Sequence, residues 1–138
     1  MWLIFALLAA VFASLMTVFM KIALTDIDAM LGMALRTTFV FILGWIYVFL
    51  NHTYRLIPKL SLKTWRSLII AGIITFATWS CFFIALKASN NTSKVLAIDR
   101  LSIILTVVFA TIFLKETISL KTIIGIIITV IGSFLVIL

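Results

Sequence analysis

Five long apolar runs constrain the fold of this chain more than any other feature of its sequence. They cover residues 2–20, 30–50, 67–86, 95–114 and 122–138. A helix that crosses a bilayer core about 30 Å thick needs roughly 20 apolar residues, and each run is close to that length. Strands of a membrane barrel are about 10 residues long and alternate apolar with polar positions. We therefore predict an all-α, polytopic membrane protein in which residues 1–138 form one domain of five transmembrane helices.

The composition narrows the class of protein further. Of the 138 residues, 65% are hydrophobic and only 11% are charged, and the mean hydropathy is +1.38. A soluble domain carries about 25% charged residues. Five spans with short connections leave no room for a soluble catalytic or nucleic-acid-binding domain. We therefore interpret the net charge of +7 as a complement to anionic lipid, and we expect the lipid bilayer, and no nucleic acid, as a partner.

The longest connection, residues 51–66, is typical of a membrane interface. It contains the sole proline, Pro58, and a mixture of aromatic and basic residues: Tyr54, Trp65, Arg55, Lys59, Lys63 and Arg66. Such residues concentrate at the headgroup boundary. The tetrapeptide Ser-Leu-Lys-Thr occurs at 61–64 and again at 119–122. Because a serine side chain can accept from the first free N–H groups of a helix, both copies predict helix starts.

The basic residues of the connections predict the orientation of the chain. Six lie on the side of the amino terminus and three on the other side; the six are Arg55, Lys59, Lys63, Arg66, Lys115 and Lys121, and the three are Lys21, Lys87 and Lys94. The positive-inside rule then places the amino terminus in the cytoplasm. Arg36 and Arg100 lie within spans and would snorkel toward the second side. The count then becomes six against five, which leaves a dual topology open.

Three charged residues lie inside predicted spans: Arg36 in the second, and Asp99 and Arg100 in the fourth. A charge near the bilayer centre costs roughly 2.5 to 3.5 kcal/mol on insertion scales, which makes such residues candidates for function. All three enter from the same membrane side, so they can meet. Three interpretations stay open: a fixed ion pair that allows an arginine to lie in the membrane, a direct role in binding substrate or carrying a proton, and snorkelling to the headgroups.

Polar residues near these charges extend the candidate pathway. Asp99 shares a helix face with Ser102 and Thr106, and the middle of the third span carries hydroxyl groups and an indole. The predicted substrate-binding or pathway residues are Asp99, Arg100, Arg36, Lys21, Ser102, Thr106, Trp79, Ser80 and Thr78. The hydroxyl groups have a second interpretation, since serine and threonine also bond to the backbone of their own helix. Small residues in the first and last spans, including Gly125 and Gly132 in the last, predict close helix packing.

The sequence indicates neither an enzyme nor a metal protein. His52 is the sole histidine and has no second ligand nearby. A Ser/His/Asp set, a glycine-rich phosphate loop and a metal-binding cluster are all missing from the sequence. We therefore predict no enzymatic activity, no cofactor and no metal site.

The order of several short motifs resembles a known family. Residues 94–102, Lys-Val-Leu-Ala-Ile-Asp-Arg-Leu-Ser, precede the Phe-Leu-Lys-Glu of 113–116 and the glycines of the last span, and Lys21, Arg36 and Lys87 fit the same pattern. The whole chain is similar to an EamA-type domain of the drug/metabolite transporter superfamily, and especially to its small single-domain, five-helix branch in bacteria and archaea. Leu96 departs from the pattern, because it stands where the family has a proline that would kink the entry to the fourth span.

The resemblance implies secondary transport of a small metabolite or drug-like solute by alternating access, in the cell membrane of a bacterium or archaeon. Most members of the superfamily have two such domains, the second inverted, with the pathway between them. A lone domain then needs a second chain, and we predict a homodimer with an antiparallel arrangement slightly preferred over a parallel one. The alternative is a noncatalytic membrane subunit of a hetero-oligomeric transporter, or a lipid-head-group flippase. The sequence does not indicate the substrate, the coupling ion or the direction of transport.

Overall fold

Five helices of the chain are long and apolar enough to cross a membrane. A computed structural model describes residues 1–115 and 117–138. Within them the candidate spans are Trp2–Ala23, Ala29–Leu50, Leu62–Ala88, Thr92–Phe113 and Leu120–Ile137. The prediction of an all-helical membrane protein with five spans is confirmed.

The fourth span is divided by a turn, so that residues 1–115 and 117–138 contain six α-helices. They are α1 (Trp2–Ala23), α2 (Ala29–Leu50), α3 (Leu62–Ala88), α4 (Thr92–Arg100), α5 (Ser102–Leu114) and α6 (Leu120–Ile137). A 3-10 helix, Thr53–Lys59, lies between α2 and α3 within the segment that we assigned to the interface. Helix α3 begins at Leu62, earlier than the predicted residue 67, because the polar residues that follow Ser61 form its first turns.

The two Ser-Leu-Lys-Thr copies form the same structure at the starts of α3 and α6. In the first copy the backbone N–H of Thr64 donates to Ser61 Oγ at 3.2 Å, and in the second the N–H of Thr122 donates to Ser119 Oγ at 3.2 Å. The serine and threonine hydroxyls of each copy also bond to each other at 2.9 Å. Each serine thus satisfies one of the free N–H groups at a helix start, and the prediction of two helix starts is confirmed.

The helices form two compact units, which are described separately. The first unit, Met1–Ala88, contains α1, α2, the 3-10 helix and α3; the second unit, Ser89–Leu138, contains α4, α5 and α6. The buried core of the first unit consists of Met20, Leu24, Ala29, Met33, Phe83 and Leu86. These residues come from the end of α1, the start of α2 and the end of α3. In the second unit the buried residues are Val95 and Ala97 of α4 and Ser133 of α6.

The predicted close packing at the glycines of the last span does not occur within the described part of the chain. A Cβ atom added to Gly125 or Gly132 would meet no described atom within 4 Å. Gly32, near the start of α2, behaves differently, because a Cβ there would lie 3.0 Å from Leu24 Cδ2 and 3.2 Å from Ile27 Cδ1. The turn between α1 and α2 therefore packs closely against the backbone of α2 at Gly32.

This contrast predicts different effects of the same substitution at two glycines. We expect Gly32→Leu to lower the free energy of unfolding by about 1 to 3 kcal/mol, as overpacked cores usually do. Gly44→Leu, in open space on the same helix, should leave stability unchanged or raise it, because leucine has the higher helix propensity. Thermal unfolding of the detergent-purified variants measures the difference. Equal melting temperatures would contradict the packing described at Gly32.

Asp28 caps the start of α2. We predict that the stability which this cap gives to the fold is lost in acid. Its carboxylate accepts from the backbone N–H of Met30 at 2.8 Å and of Leu31 at 3.4 Å. These bonds, in that order, lower the pKa of the exposed Asp28 from its ordinary 3.8, and the charge of Lys87 adds a smaller effect in the same direction. Because the pKa is lower in the folded state, the carboxylate contributes stability above its unfolded pKa and loses that contribution as the pH falls through its folded pKa.

We therefore expect Asp28→Asn to melt below the native chain at neutral pH, with a gap that narrows as the sample is acidified below the unfolded pKa. Asparagine retains a capping oxygen but has no charge to lose. The measurement is the melting temperature of both chains across an acid titration, with Asp26→Asn of the same turn as the control. A gap that stays constant with pH would show that the Asp28 charge does not stabilise the cap.

Candidate functional site

Arg36 forms the first element of the candidate site, and it lies against aromatic rings of α3. It is about 10 Å along α2 from the start of that helix, at 1.5 Å per residue. Its guanidinium carbon Cζ lies 4.2 Å from the centroid of the Trp79 ring and 5.7 Å from that of Phe83. Phe83 belongs to the buried core. A cation over an aromatic face in such desolvated surroundings gains about 2 kcal/mol, which offsets part of the cost of a charge within the membrane.

The hydrogen-bonding capacity of Arg36 is not filled. Its Nη1 atom is buried and has no hydrogen-bond partner among the described residues. A buried donor without an acceptor costs about 1 to 3 kcal/mol, and more when the group is charged. Arg36 is therefore a positive group, inside a span, that offers a donor to an oxygen atom.

Two lysines that we assigned to the same membrane side as Arg36 bind backbone carbonyl groups. Lys21 Nζ of α1 donates to the carbonyl of Leu86 at 2.7 Å, and Lys87 Nζ donates to the carbonyl of Ile27 at 2.6 Å. Leu86 lies in the last turn of α3, where carbonyl groups have no partner within the helix. Lysines stabilise such helix ends by hydrogen bonds and by their charge. The structure thus places Lys21, a predicted pathway residue, on the end of a neighbouring helix.

Asp99 and Arg100 form the second element, at the point where the fourth span is interrupted. Both side chains are exposed. They end α4, and the N–H of Leu101 then donates to Ile98 O at 3.0 Å, while the N–H of Ile104 donates to Leu101 O at 3.1 Å. Bonds to the third preceding residue are those of a 3-10 turn, and such a turn within a helix is often a hinge. The span contains 22 residues, so Leu101 is close to its middle.

The interruption lies at a different place from the one that the family pattern suggested. Helix α4 continues through Leu96, as expected for a residue that is not a proline, and it is interrupted at Leu101. The fourth span therefore has a 3-10 turn near its middle, directly after its two charged residues, and the backbone of Leu101 stays helical with φ of −64° and ψ of −18°. No glycine or proline occurs in residues 92–114.

The predicted pathway hydroxyl groups bond to their own helices. Ser80 Oγ donates to Phe76 O at 2.7 Å, Thr78 Oγ1 to Ile74 O at 2.9 Å and Thr106 Oγ1 to Ser102 O at 3.0 Å. Ser80 Oγ also lies 3.6 Å from the sulfur of Met33 on α2. Because each of these hydroxyl groups donates its hydrogen to a backbone carbonyl, its oxygen can still accept a hydrogen bond but has no further hydrogen to donate.

Each unit has a groove that contains part of the predicted set. In the first unit a groove of about 440 Å³ lies between α2 and α3, and its lining includes Met33, Thr37, Thr38, Gly72, Thr75 and Trp79. In the second unit a groove of about 390 Å³ lies between α4 and α6, and its lining includes Arg100, Thr129, Gly132 and Ser133. Both volumes are in the range of about 300 to 1,000 Å³ that is usual for small-molecule sites.

The structure groups the predicted residues by unit. Arg36 and Trp79 are in contact in the first unit, while Asp99, Arg100, Ser102 and Thr106 follow one another around the interruption in the second. A meeting of Arg36 with Asp99 joins the two units and stays a prediction. Sequence reasoning missed Phe83, although its position one helical turn after Trp79 was the available signal, since residues four apart share a helix face.

Charge-rich metal sites are not found in the part of the chain that the structure describes. Within residues 1–115 and 117–138, no group of three or more His, Cys, Asp or Glu side chains is arranged to hold a metal ion. The first unit instead contains an aromatic-packed arginine and a groove. The second unit contains two charged residues before a 3-10 turn and a groove of its own.

Five helices that are long and apolar enough to cross a membrane define a multi-pass membrane protein. The sequence model of the EamA-like transporter family matches residues 1–138, and the chain belongs to this family. It is also 29% identical, over 134 residues, to a protein of Sinorhizobium sp named "uncharacterized transporter in cobO 3' region", with 97% of this chain and 94% of the relative covered. No solved structure matches the chain. Family and relative point to a membrane transporter rather than an enzyme.

Proposed function

We propose that the chain is a secondary transporter that moves a small metabolite or drug-like solute by alternating access. The observation that carries the proposal is the 3-10 turn at Leu101 within the fourth span, directly after Asp99 and Arg100, because such a turn inside a helix often marks a functional hinge. Transporters commonly bind solutes and coupling ions near the bilayer midplane, at helices that are discontinuous there. Asp99 then binds the solute or carries a proton, and Arg100 contacts the solute from the α4–α6 groove.

Arg36 supplies a second contact to the solute in this proposal. Its buried Nη1 has no acceptor among the described residues, so a solute with a carboxylate, phosphate or carbonyl oxygen meets an open donor. A hydrogen bond to a charged group contributes about 1.5 to 3 kcal/mol, which is comparable to the interaction of Arg36 with Trp79. The acceptor oxygens of Thr78, Ser80 and Thr106 line the remaining pathway, together with Ser102.

The proposed transporter is a homodimer of five-helix halves. The relative that carries a transporter name is matched over 94% of its length, so that name belongs to a chain with one five-helix repeat. An odd number of spans places the two termini of a chain on opposite sides of the membrane. A second copy in the opposite orientation then gives the inverted symmetry on which many transporters are built. We prefer the antiparallel dimer slightly over the parallel one.

The proposed location is the cell membrane of a bacterium or archaeon, with the amino terminus in the cytoplasm. The six basic residues on the side of the amino terminus support this orientation. Reporter fusions at the carboxyl terminus measure it. A signal from both compartments supports dual topology and hence an antiparallel pair, and a signal from one compartment eliminates that pair.

Reconstitution tests the proposed function. The chain is purified alone, its mass in detergent is determined, and a panel of amino acids, polyamines, nucleosides and organic anions is screened for a rise in melting temperature. A solute that raises it is then loaded into proteoliposomes, and its flux is measured. We expect a dimer that binds and transports at least one solute. A chain that is inert alone, and active only after another membrane protein is added, would support the noncatalytic subunit.

The exposed basic residues of the 3-10 helix favour a second candidate function, a lipid-head-group flippase. Arg55 and Lys59 belong to the 3-10 helix between α2 and α3, and basic residues beside a membrane surface attract lipid phosphate groups. The same proteoliposomes test this candidate through the movement of a fluorescent headgroup between leaflets. Lipid movement without solute flux would favour the flippase over the solute transporter.

A further inference from the structure

An apolar groove lies between the second half of α2 and the 3-10 helix, and it meets the α2–α3 groove at Phe41. Its volume is about 470 Å³, and its lining includes Val40, Gly44, Trp45, Val48, Leu56 and Ile57. Gly44 has no side chain to fill it, and a Cβ atom added there meets no described atom within 4 Å. The groove is therefore an open slot along α2 that is suited to a slender apolar group.

Aromatic contacts hold the 3-10 helix beside α2 and so define the groove. The rings of Trp45 and Phe49 are 5.7 Å apart between centroids, and those of Phe49 and Tyr54 are 5.6 Å apart. His52 adopts a left-handed backbone conformation with φ of 54°, which turns the chain sharply at the end of α2. Ring pairs at such distances add about 0.5 to 1.5 kcal/mol each beyond the area that they bury. Of the two pairs, that of Phe49 and Tyr54 joins α2 to the 3-10 helix, the two walls of the groove.

The residues outside the groove are strongly basic. Leu56, Ile57 and Leu60 of the 3-10 segment line the groove, whereas Arg55 and Lys59 are exposed. Lys63 and Arg66, in the first turns of α3, are also exposed. Residues 51–66 contain four arginines and lysines and no acidic residue. An apolar slot bordered by positive charge matches the two chemical parts of an anionic phospholipid.

We propose that this groove holds one acyl chain of an anionic phospholipid, whose phosphate lies beside Arg55 and Lys59. The groove alone does not select a lipid by its apolar character, because lipid tails are as apolar as the side chains that line it. Selection comes from the headgroup, since each basic residue near the surface favours anionic lipid roughly fivefold. Two such residues predict a preference of about 10- to 30-fold over a zwitterionic lipid.

Brominated lipids test this site, because bromine on an acyl chain quenches a tryptophan that it touches. The full chain is placed in phosphatidylcholine vesicles with a small, equal fraction of brominated phosphatidylglycerol or brominated phosphatidylcholine. The signal of Trp45 is the difference between the native chain and Trp45→Phe. We expect phosphatidylglycerol to quench Trp45 with the preference given above, and Arg55→Gln combined with Lys59→Gln to bring the two lipids to parity.

Two glycine variants separate the groove from the headgroup contacts. Gly44→Leu fills the slot and should reduce quenching of Trp45 by both lipids, whereas Gly72→Leu, on the opposite wall of the α2–α3 groove, should leave it unchanged. Equal quenching by the two lipids in the native chain overturns the proposal, as does a preference that survives the double substitution. Quenching by neither lipid also overturns it, since a second protein copy then covers the groove. The double substitution keeps the test decisive if Gly44→Leu fails to fold.

Discussion

Replacing Arg36 with methionine should weaken solute binding by about 10- to 100-fold while leaving the fold intact. The loss follows from the 1.5 to 3 kcal/mol that a charged hydrogen bond contributes. Stability should change little, because the variant removes a buried donor that has no acceptor among the described residues. The loss of the Trp79 contact lowers the free energy of unfolding, whereas the removal of a charge from the membrane raises it. Solute-induced rises in melting temperature and flux in proteoliposomes measure both effects.

The controls distinguish a solute contact from a structural ion pair. Arg36→Lys keeps the charge without the planar fork and should bind with intermediate affinity, and Lys63→Met, at an exposed basic residue outside the site, should behave as the native chain. Breaking a buried ion pair typically costs about 3 to 5 kcal/mol. A large loss of stability in Arg36→Met would therefore show that Arg36 is paired, with Asp99 as the first acid to examine.

Replacing Asp99 with asparagine should lower solute flux at least about tenfold and flatten its dependence on pH, since a bond to a charged group contributes about 1.5 to 3 kcal/mol. Asparagine has the shape of the carboxyl group but can neither hold a charge nor release a proton. Asp99 is exposed at the end of α4, next to the interruption at Leu101. Initial rates across a pH series, in proteoliposomes with equal amounts of protein, give the measurement.

Asp26→Asn is the matched control for Asp99, because Asp26 is an exposed acid in the turn between α1 and α2. It should leave rate and pH profile as they are. If Asp99→Asn transports at the native rate with the native pH profile, Asp99 neither binds solute nor carries a proton. The interruption of the fourth span would then have a conformational role alone.

The positions of the spans and the helix starts could be predicted from the sequence because they depend on local chemistry. The length of an apolar run identifies a span without knowledge of its neighbours. Ser61 and Ser119 cap helices through contacts with residues three positions away. A charged residue inside an apolar run can also be recognised without knowledge of its neighbours in space. The sequence alone therefore identifies Arg36, Asp99 and Arg100 as candidates.

The partners of these residues could not be predicted, because they depend on packing between distant segments. Lys21 was assigned to the pathway, yet it donates to a carbonyl 65 positions later. The contact between Arg36 and Trp79 joins two helices in the same way. The break at Leu101 has no glycine or proline to indicate it, and a family pattern that placed a proline at position 96 pointed to a different residue. Propensity and pattern alone do not reveal a 3-10 turn within an apolar helix.

The lysine bonds to carbonyl groups affect how each unit can move. Lys21 ties α1 to the last turn of α3, Lys87 ties α3 to the turn before α2, and Lys94 ties α4 to the carbonyl of Ile137 at the end of α6. In the first unit, the bonds of Lys21 and Lys87 lie at the end where the core of that unit also lies. In the second unit, the bond of Lys94 joins the start of α4 to the end of α6. Helices that hydrogen bonds hold together at one end separate more easily at the other end.

This difference between the two ends of a unit affects how the proposed dimer would open. In a parallel pair, both copies would present their fastened ends to one membrane face, and the two faces would open with different ease. In an antiparallel pair, each face would combine the fastened end of one copy with the looser end of the other. Inward and outward opening would then be equivalent by symmetry, and the direction of net transport would be determined by the solute and ion gradients alone.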